Sequence, residues 1–380
     1  MPEFVCEQYC ASSGDRELVP VPLSSYKSPL HEMTQSTPTC LWNDSASAQE
    51  LAYAIEHGAV GATCNPVIVV GVLKKEMAKW RPRIEALGKE RTNACEEEIA
   101  WHLVREMSIQ AAAMLKPIFD EQRGKNGRLS IQTDPRLFRN SDAMMKQAIE
   151  FSQLAPNMIV KIPVTHAGIT AIEEATYHGV SINATVCFTV PQCIAVAEAV
   201  ERGLRRRERD GKDIETMGPV CTVMVGRLDD WLKVQMEKND VAIDPGYLEW
   251  AGVAVFKKAY RLFRDRGYRL RLLSAAFRNH MHWSEFIGGD VVISPPHSWQ
   301  LRFNASDIRV HPRIHEPVSG VVLESLTKTF PDFCRSYGET GLSPAEFDTF
   351  GPTRRTLRQF IAACHDLDGL VRDVLVPNPD

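Results

Sequence analysis

The stretch Asn157-Met158-Ile159-Val160-Lys161-Ile162-Pro163-Val164-Thr165 decides how the chain is read. Met158, Ile159, Val160, Ile162 and Val164 form a short, mostly β-branched apolar run. Pro156-Asn157 bounds it on one side and Thr165-His166-Ala167-Gly168 on the other, as turn signals bound a buried strand. One lysine sits in its middle. Taking an ammonium out of water carries a large penalty unless it is paired or neutral. A desolvated lysine can shed its proton towards neutral pH, and the amine left behind attacks carbonyls. Lys161 therefore reads either as a Schiff-base nucleophile or as a strand-end lysine whose amine reaches back to water. The neighbouring segments choose between the two.

Working outward, short apolar runs alternate with helical patterns. Strands are expected at 39–44, 61–65, 128–134, 157–165, 181–187, 220–226, 269–277 and 290–294. Ser47-Ala48-Gln49-Glu50 has the form of a capping box opening a helix to about His57, and Pro66 suits the first turn of the next. Further helices are expected at about 95–122, 141–154, 167–177, 191–207, 228–236 and 246–266, with Gly179 closing the fourth segment's helix. The Arg205-Arg206-Arg207 run falls at a helix C-terminus beside Glu208 and Asp210, where the dipole favours cations, and reads as a solvated end. Eight strands, each followed by helix, fit a closed (β/α)8 TIM barrel of the α/β class better than an open doubly wound sheet. No glycine-rich phosphate fingerprint follows the first strand. The division expected is an N-terminal arm at 1–37, a barrel at 38–305 and a helical extension at 306–380. That extension packs on the barrel or makes a subunit contact, as in a homodimer.

The whole chain sets bounds on function. Its 380 residues are 44% hydrophobic and 24% charged, ample for a core, and the net charge of −4 leaves no nucleic-acid footprint. No apolar run approaches the ~20 residues that span a bilayer. The start Met1-Pro2-Glu3-Phe4-Val5-Cys6 lacks a basic flank and apolar run, so a secretory signal is not expected. The ten cysteines are scattered, and Cys6/Cys10 and Cys187/Cys193 do not match zinc spacings. They read as reduced, mostly buried thiols of a cytoplasmic protein.

Alternate strand residues share a face. By that parity Asn183 and Thr185 go together, as do Ser130, Gln132 and Asp134, Thr222 and Met224, and Ser274, Ala276 and Arg278. The opposite faces carry Ile, Val and Leu. Any one such polar group could be a satisfied core residue. On these four strands and the Lys161 strand at once, an apolar outside and a polar inside describe a reaction chamber, because buried polar groups are costly without partners.

Read together, the motifs Asn43-Asp44-Ser45, Thr63-Cys64-Asn65-Pro66, Gln132-Thr133-Asp134-Pro135-Arg136-Leu137, Val160-Lys161-Ile162-Pro163, Gly179-Val180-Ser181-Ile182-Asn183-Ala184-Thr185, Val225-Gly226-Arg227-Leu228-Asp229 and Ala276-Phe277-Arg278-Asn279 resemble those of the transaldolases. They stand in the family's order over about 38–300; the arm and the tail are extra to its short members. The resemblance implies an iminium between Lys161 and a ketose carbonyl, cleavage of the C3–C4 bond, and transfer of the retained three-carbon unit to a second aldehyde. The imine serves as the electron sink, so no metal or cofactor is implied. His280-Met281-His282 does not have helical metal-site spacing and reads as core or surface.

The resemblance also assigns roles. Asp44 is the general acid and base at the breaking bond, although it could instead cap the helix that follows. Asn65 and Asn183 hold substrate hydroxyls or the amine-bearing carbon. Thr185 positions the water used in imine formation and hydrolysis, and Thr222 binds a hydroxyl near the carbonyl end. Arg227 and Arg278 hold a terminal phosphate by charged hydrogen bonds. Arg227 has a second reading as an ion pair with Asp229. Three positions depart from the family pattern. Gln132 replaces a glutamate, and an amide orients water but cannot exchange a proton; fructose 6-phosphate aldolases carry a glutamine there. Ala276 replaces a serine beside the phosphate site. Met224 replaces an aromatic residue, which would admit an unusual or longer sugar. The implied partners are small sugars or sugar phosphates. A catalytically inactive sugar-phosphate-binding barrel is the alternative from another class.

Overall fold

Each expected apolar run becomes a parallel strand. In the computed structural model, which describes residues 26–380, these are β1 (Cys40–Asn43), β2 (Ala59–Thr63), β3 (Arg128–Gln132), β4 (Met158–Pro163), β5 (Ile182–Cys187), β6 (Val220–Met224), β7 (Arg271–Ala275) and β8 (Val292–Ile293). They pair in chain order and β8 closes on β1, with helices between successive strands. The fold is the (β/α)8 barrel. Residues 1–25 of the expected arm, Cys6 and Cys10 among them, lie outside the described residues.

Several strands stop short of the sequence reading, each for a local reason. β3 ends at Gln132 because Asp134 turns outward, its carboxylate accepting from the Arg136 backbone N–H at 2.9 Å to cap a short turn. β6 ends at Met224 because the helix Val225–Lys238 begins at once. β7 ends at Ala275 because Ala276 takes a left-handed φ of +64°. The breaks also correct two parity assignments. Asp134 leaves the inner face and pairs with the Arg136 guanidinium at 2.7 Å. On β7 it is Leu273 and Ala275 that join the barrel interior, whereas Ser274 turns away and donates to the His282 carbonyl at 3.2 Å.

The interior is two-storeyed. Its floor is apolar, built from Trp42, Ile159, Val220, Leu273 and Val292. Gly61 makes room for it, since a Cβ there would lie 2.5 Å from the Trp42 ring. Above the floor the inward residues turn polar. Lys161 stands beside Gln132 of β3 and Asn183 of β5 in the ladder register.

The expected capping box at Ser47 does not form. Ser47 donates instead to Glu76 at 2.8 Å, and Glu50 is drawn to Lys75, also at 2.8 Å. Part of the expected arm is helical: Pro29–Ser36 starts on a Ser28 cap and buries Leu30 and Met33. After the barrel come helices His297–Asn304, Gly320–Thr329, Pro331–Tyr337 and Gly351–Leu375. The last buries a stripe of Thr353, Thr356, Leu357, Phe360, Cys364, Leu367 and Val371, at the spacing of one helix face. It packs across helices Pro66–Lys75 and Glu96–Glu121 and reaches β5 and the helix after β6. Among the described residues every cysteine is unpaired, most of them buried, and no helix is long and apolar enough to cross a membrane.

Candidate active site

The polar storey opens at the C-terminal ends of the strands into a cavity of about 260 Å³. Asp44, Asn65, Lys161, Thr185, Thr222, Arg227 and Arg278 all line it. Strands end there and loops begin, which is where this barrel architecture collects its reactive groups. Gln132 and Asn183 stand beside Lys161 in register but are buried in the wall. Asn183 donates to Ser130 Oγ at 3.0 Å and accepts from Thr222 Oγ1 at 2.7 Å, so its amide stiffens the wall between β3 and β6. The Oε1 of Gln132 is buried without a partner among the described residues.

Lys161 is only 5% exposed. Burial pushes its ammonium below the ordinary lysine range, more strongly than the nearby Asp44 carboxylate can hold it up. The Asp44 carboxyl is pushed up by the same desolvation, against Lys161, a hydrogen bond from Thr63 and the more distant Arg227. Both shifts run towards the uncharged form of each group. Asp44 does not cap the following helix; Ser47 occupies that position. Cys64, next to this pair, is no rival nucleophile, because burial pushes its thiol up to about 12.

Asn65 caps the helix that starts at Pro66, its Oδ1 accepting from the Ile68 N–H at 3.1 Å. That bond fixes the side chain at the cavity edge. Among the described residues the Thr185 hydroxyl reaches only the Met224 sulfur, 4.0 Å away. Arg227 is half-buried; its Nη1 lies 3.5 Å from Thr356 Oγ1, its guanidinium sits 5.7 Å from the Phe360 ring centre, and its buried Nε has no partner among the described residues. Burial lowers its pKa to about 10, which leaves it a cation at neutral pH. Asp229 does not pair with it but with the His282 ring, at 2.9 Å. Arg278 holds Asp230 through Nε and Nη2 at 2.8–3.1 Å.

The description "Transaldolase/Fructose-6-phosphate aldolase" belongs to a family model that matches residues 41–328. The chain belongs to this transaldolase/fructose-6-phosphate aldolase family. It is 27% identical over 233 residues to a transaldolase of Kocuria rhizophila, covering 59% of this chain and 62% of the relative. It is 29% identical over 220 residues to one of Thermobifida fusca, covering 56% and 58%. With one of Acidothermus cellulolyticus the identity is 28% over 250 residues, covering 63% and 65%. The chain thus spans about six tenths of the length of the curated relatives it matches.

This family member has cavity walls that sequence reasoning did not name. Pro296 and Trp299 follow β8, and a position just past a barrel strand was a usable signal. Val67 and Ile68 lie in the first turn after Asn65, equally close to a named residue. Phe360 comes from the helix Gly351–Leu375, and nothing in the sequence marks its arrival at the barrel mouth.

Proposed function

We propose that this chain transfers a dihydroxyacetone unit from a ketose, or ketose phosphate, to an aldose through a Schiff base on Lys161. The observation that carries the reading is the burial of a single amine, depressed in pKa, in a polar cavity beside a carboxyl group raised in pKa. The neutral amine attacks the ketose C2 carbonyl and gives a carbinolamine. Gln132 has no proton to give, so the hydroxyl leaves as water with the proton of Asp44, and an iminium and a carboxylate result. That carboxylate takes the C4 hydroxyl proton as C3–C4 breaks. The bonding electrons flow into the iminium, an aldehyde departs, and an enamine stays on Lys161. Addition to a second aldehyde reverses the sequence, and water held by Thr185 hydrolyses the new imine. Asn65 and Thr222 would bind substrate hydroxyls, with Asn183 aligning Thr222, and Arg227 and Arg278 would bind a terminal phosphate.

Borohydride reduction with fructose 6-phosphate, followed by peptide mass, tests this. A stable adduct on Lys161 is expected. No adduct with any ketose would leave a sugar-phosphate-binding barrel without turnover. The unpartnered Oε1 of Gln132 supports a second reading, a plain aldolase in which the amide orients water towards the enamine. Free dihydroxyacetone formed without erythrose 4-phosphate would favour that aldolase; product formed only with the acceptor would favour the transferase.

A further inference from the structure

We infer that Gln192 is a positioning residue that holds the Thr185 hydroxyl in place for the imine's water; this rests on the function proposed above. β5 leaves its ladder just where Thr185 stands. The register with β6 shifts between Ala184 and Cys187, and Val186 takes a φ of +57°. A β-branched residue in the left-handed region is strained and persists only where its surroundings fix it. The fixing group is the fully buried Gln192 amide. Its Nε2 donates to the Val186 carbonyl at 3.1 Å and to the Val164 carbonyl at 3.2 Å. Its Oε1 accepts from the Phe188 N–H at 2.9 Å and from Thr189 Oγ1 at 3.2 Å.

Those four contacts use the whole capacity of a carboxamide. A capping-box glutamine reaches back only to the N–H of the cap residue. Gln192 starts three residues after the cap Thr189 but reaches past it, to the bulge and to the neighbouring strand. The Val164 N–H in turn donates to the Thr185 carbonyl at 2.7 Å. One side chain thus ties the end of the Lys161 strand to the end of the Thr185 strand. Because the Thr185 hydroxyl has no close partner among the described residues, its aim is set by this backbone. Without the clamp, Val186 relaxes to negative φ and the peptide beside Thr185 turns.

The test reads the water step alone, as incorporation of ¹⁸O from labelled water into the carbonyl of fructose 6-phosphate. Gln192→Met is expected to slow exchange about tenfold or more, with the ketose KM within about twofold, as for a lost orienting contact. Combined with Thr185→Val it should be no slower than Thr185→Val alone, because the two act as one unit. Unchanged exchange in Gln192→Met, or losses that multiply in the double variant, would overturn the inference. Gln192→Glu guards against misfolding. It keeps the shape and the acceptor, and its loss should ease as pH falls and the carboxyl regains a donor; a loss that does not ease is contrary. Wild-type protein that exchanges no ketose oxygen removes the proposed function and this inference together. Wild-type exchange with an indifferent Gln192 removes this inference alone.

Discussion

Arg227 and Asp229 lie two residues apart on one helix and do not pair. Asp229 is taken by His282 at 2.9 Å, and the Arg227 guanidinium turns the other way, over Phe360 and into the cavity. A half-buried cation with no ion-pair partner among the described residues suits the terminal phosphate proposed for this site. Arg278, by contrast, already holds Asp230. Arg227→Met should therefore weaken phosphorylated ketoses by about 1.5–3 kcal/mol, the scale of a hydrogen bond to a charged group. Unphosphorylated ketoses should bind as before. Arg278→Ala should cost less, because binding there must first displace Asp230. Equal losses for phosphorylated and free sugars in Arg227→Met would place the phosphate elsewhere.

Lys161→Met should abolish borohydride trapping and raise thermal stability at neutral pH. The unfolded lysine titrates near the ordinary lysine value of 10.5, and the folded one lower. Between those values the unfolded chain holds a proton that the native protein has shed, so wild-type stability climbs with pH through the window. The advantage of Lys161→Met should then shrink as pH rises towards 10.5. Melting curves across pH read this directly; a gap that widens would contradict a desolvated amine.

Gln132→Glu restores a proton-transferring group beside Lys161. It should raise product formed with erythrose 4-phosphate relative to free dihydroxyacetone. The same product ratio before and after would end the idea that the amide biases the reaction.

Asp229→Ala removes the partner of a buried ring and of the Gly252 N–H, which donates to Asp229 at 2.8 Å. Leaving the ring N–H and the Gly252 N–H buried and unpaired costs about 1–3 kcal/mol each. A loss of that size in the unfolding free energy from urea titration is expected. The loop after β7 should also loosen, because His282 Nδ1 accepts the Arg278 backbone N–H at 3.1 Å. Unaltered stability would mean the pair is dispensable.

The barrel was legible because β-branched runs and helical patterns alternate so regularly, and Lys161 because a lysine stands in the middle of such a run. Parity led correctly from Lys161 to Asn183, Thr185 and Thr222, because the β4–β5 ladder keeps its register through Thr185. It failed on β7, where the left-handed Ala276 resets the alternation, and no side chain announces that φ. The Ser28-Pro29 helix start carried an ordinary cap signal that the surrounding Ser/Pro-rich composition masked. Ser47 and Glu50 looked like a local cap, yet their partners Glu76 and Lys75 lie a helix away and outcompete it. Asp229 pairing with His282 was illegible for the same reason: the partner is brought by the fold.

Phe360 sits on the helix Gly351–Leu375 and walls a cavity whose other named residues precede position 300. During synthesis, every group proposed to bind the substrate is therefore made before the wall beside Arg227 exists. A ribosome-bound chain arrested short of that helix would carry Lys161 and Asp44 in an unfinished mouth, open to water and without its aromatic side. Competence would come late in translation, when the helix docks.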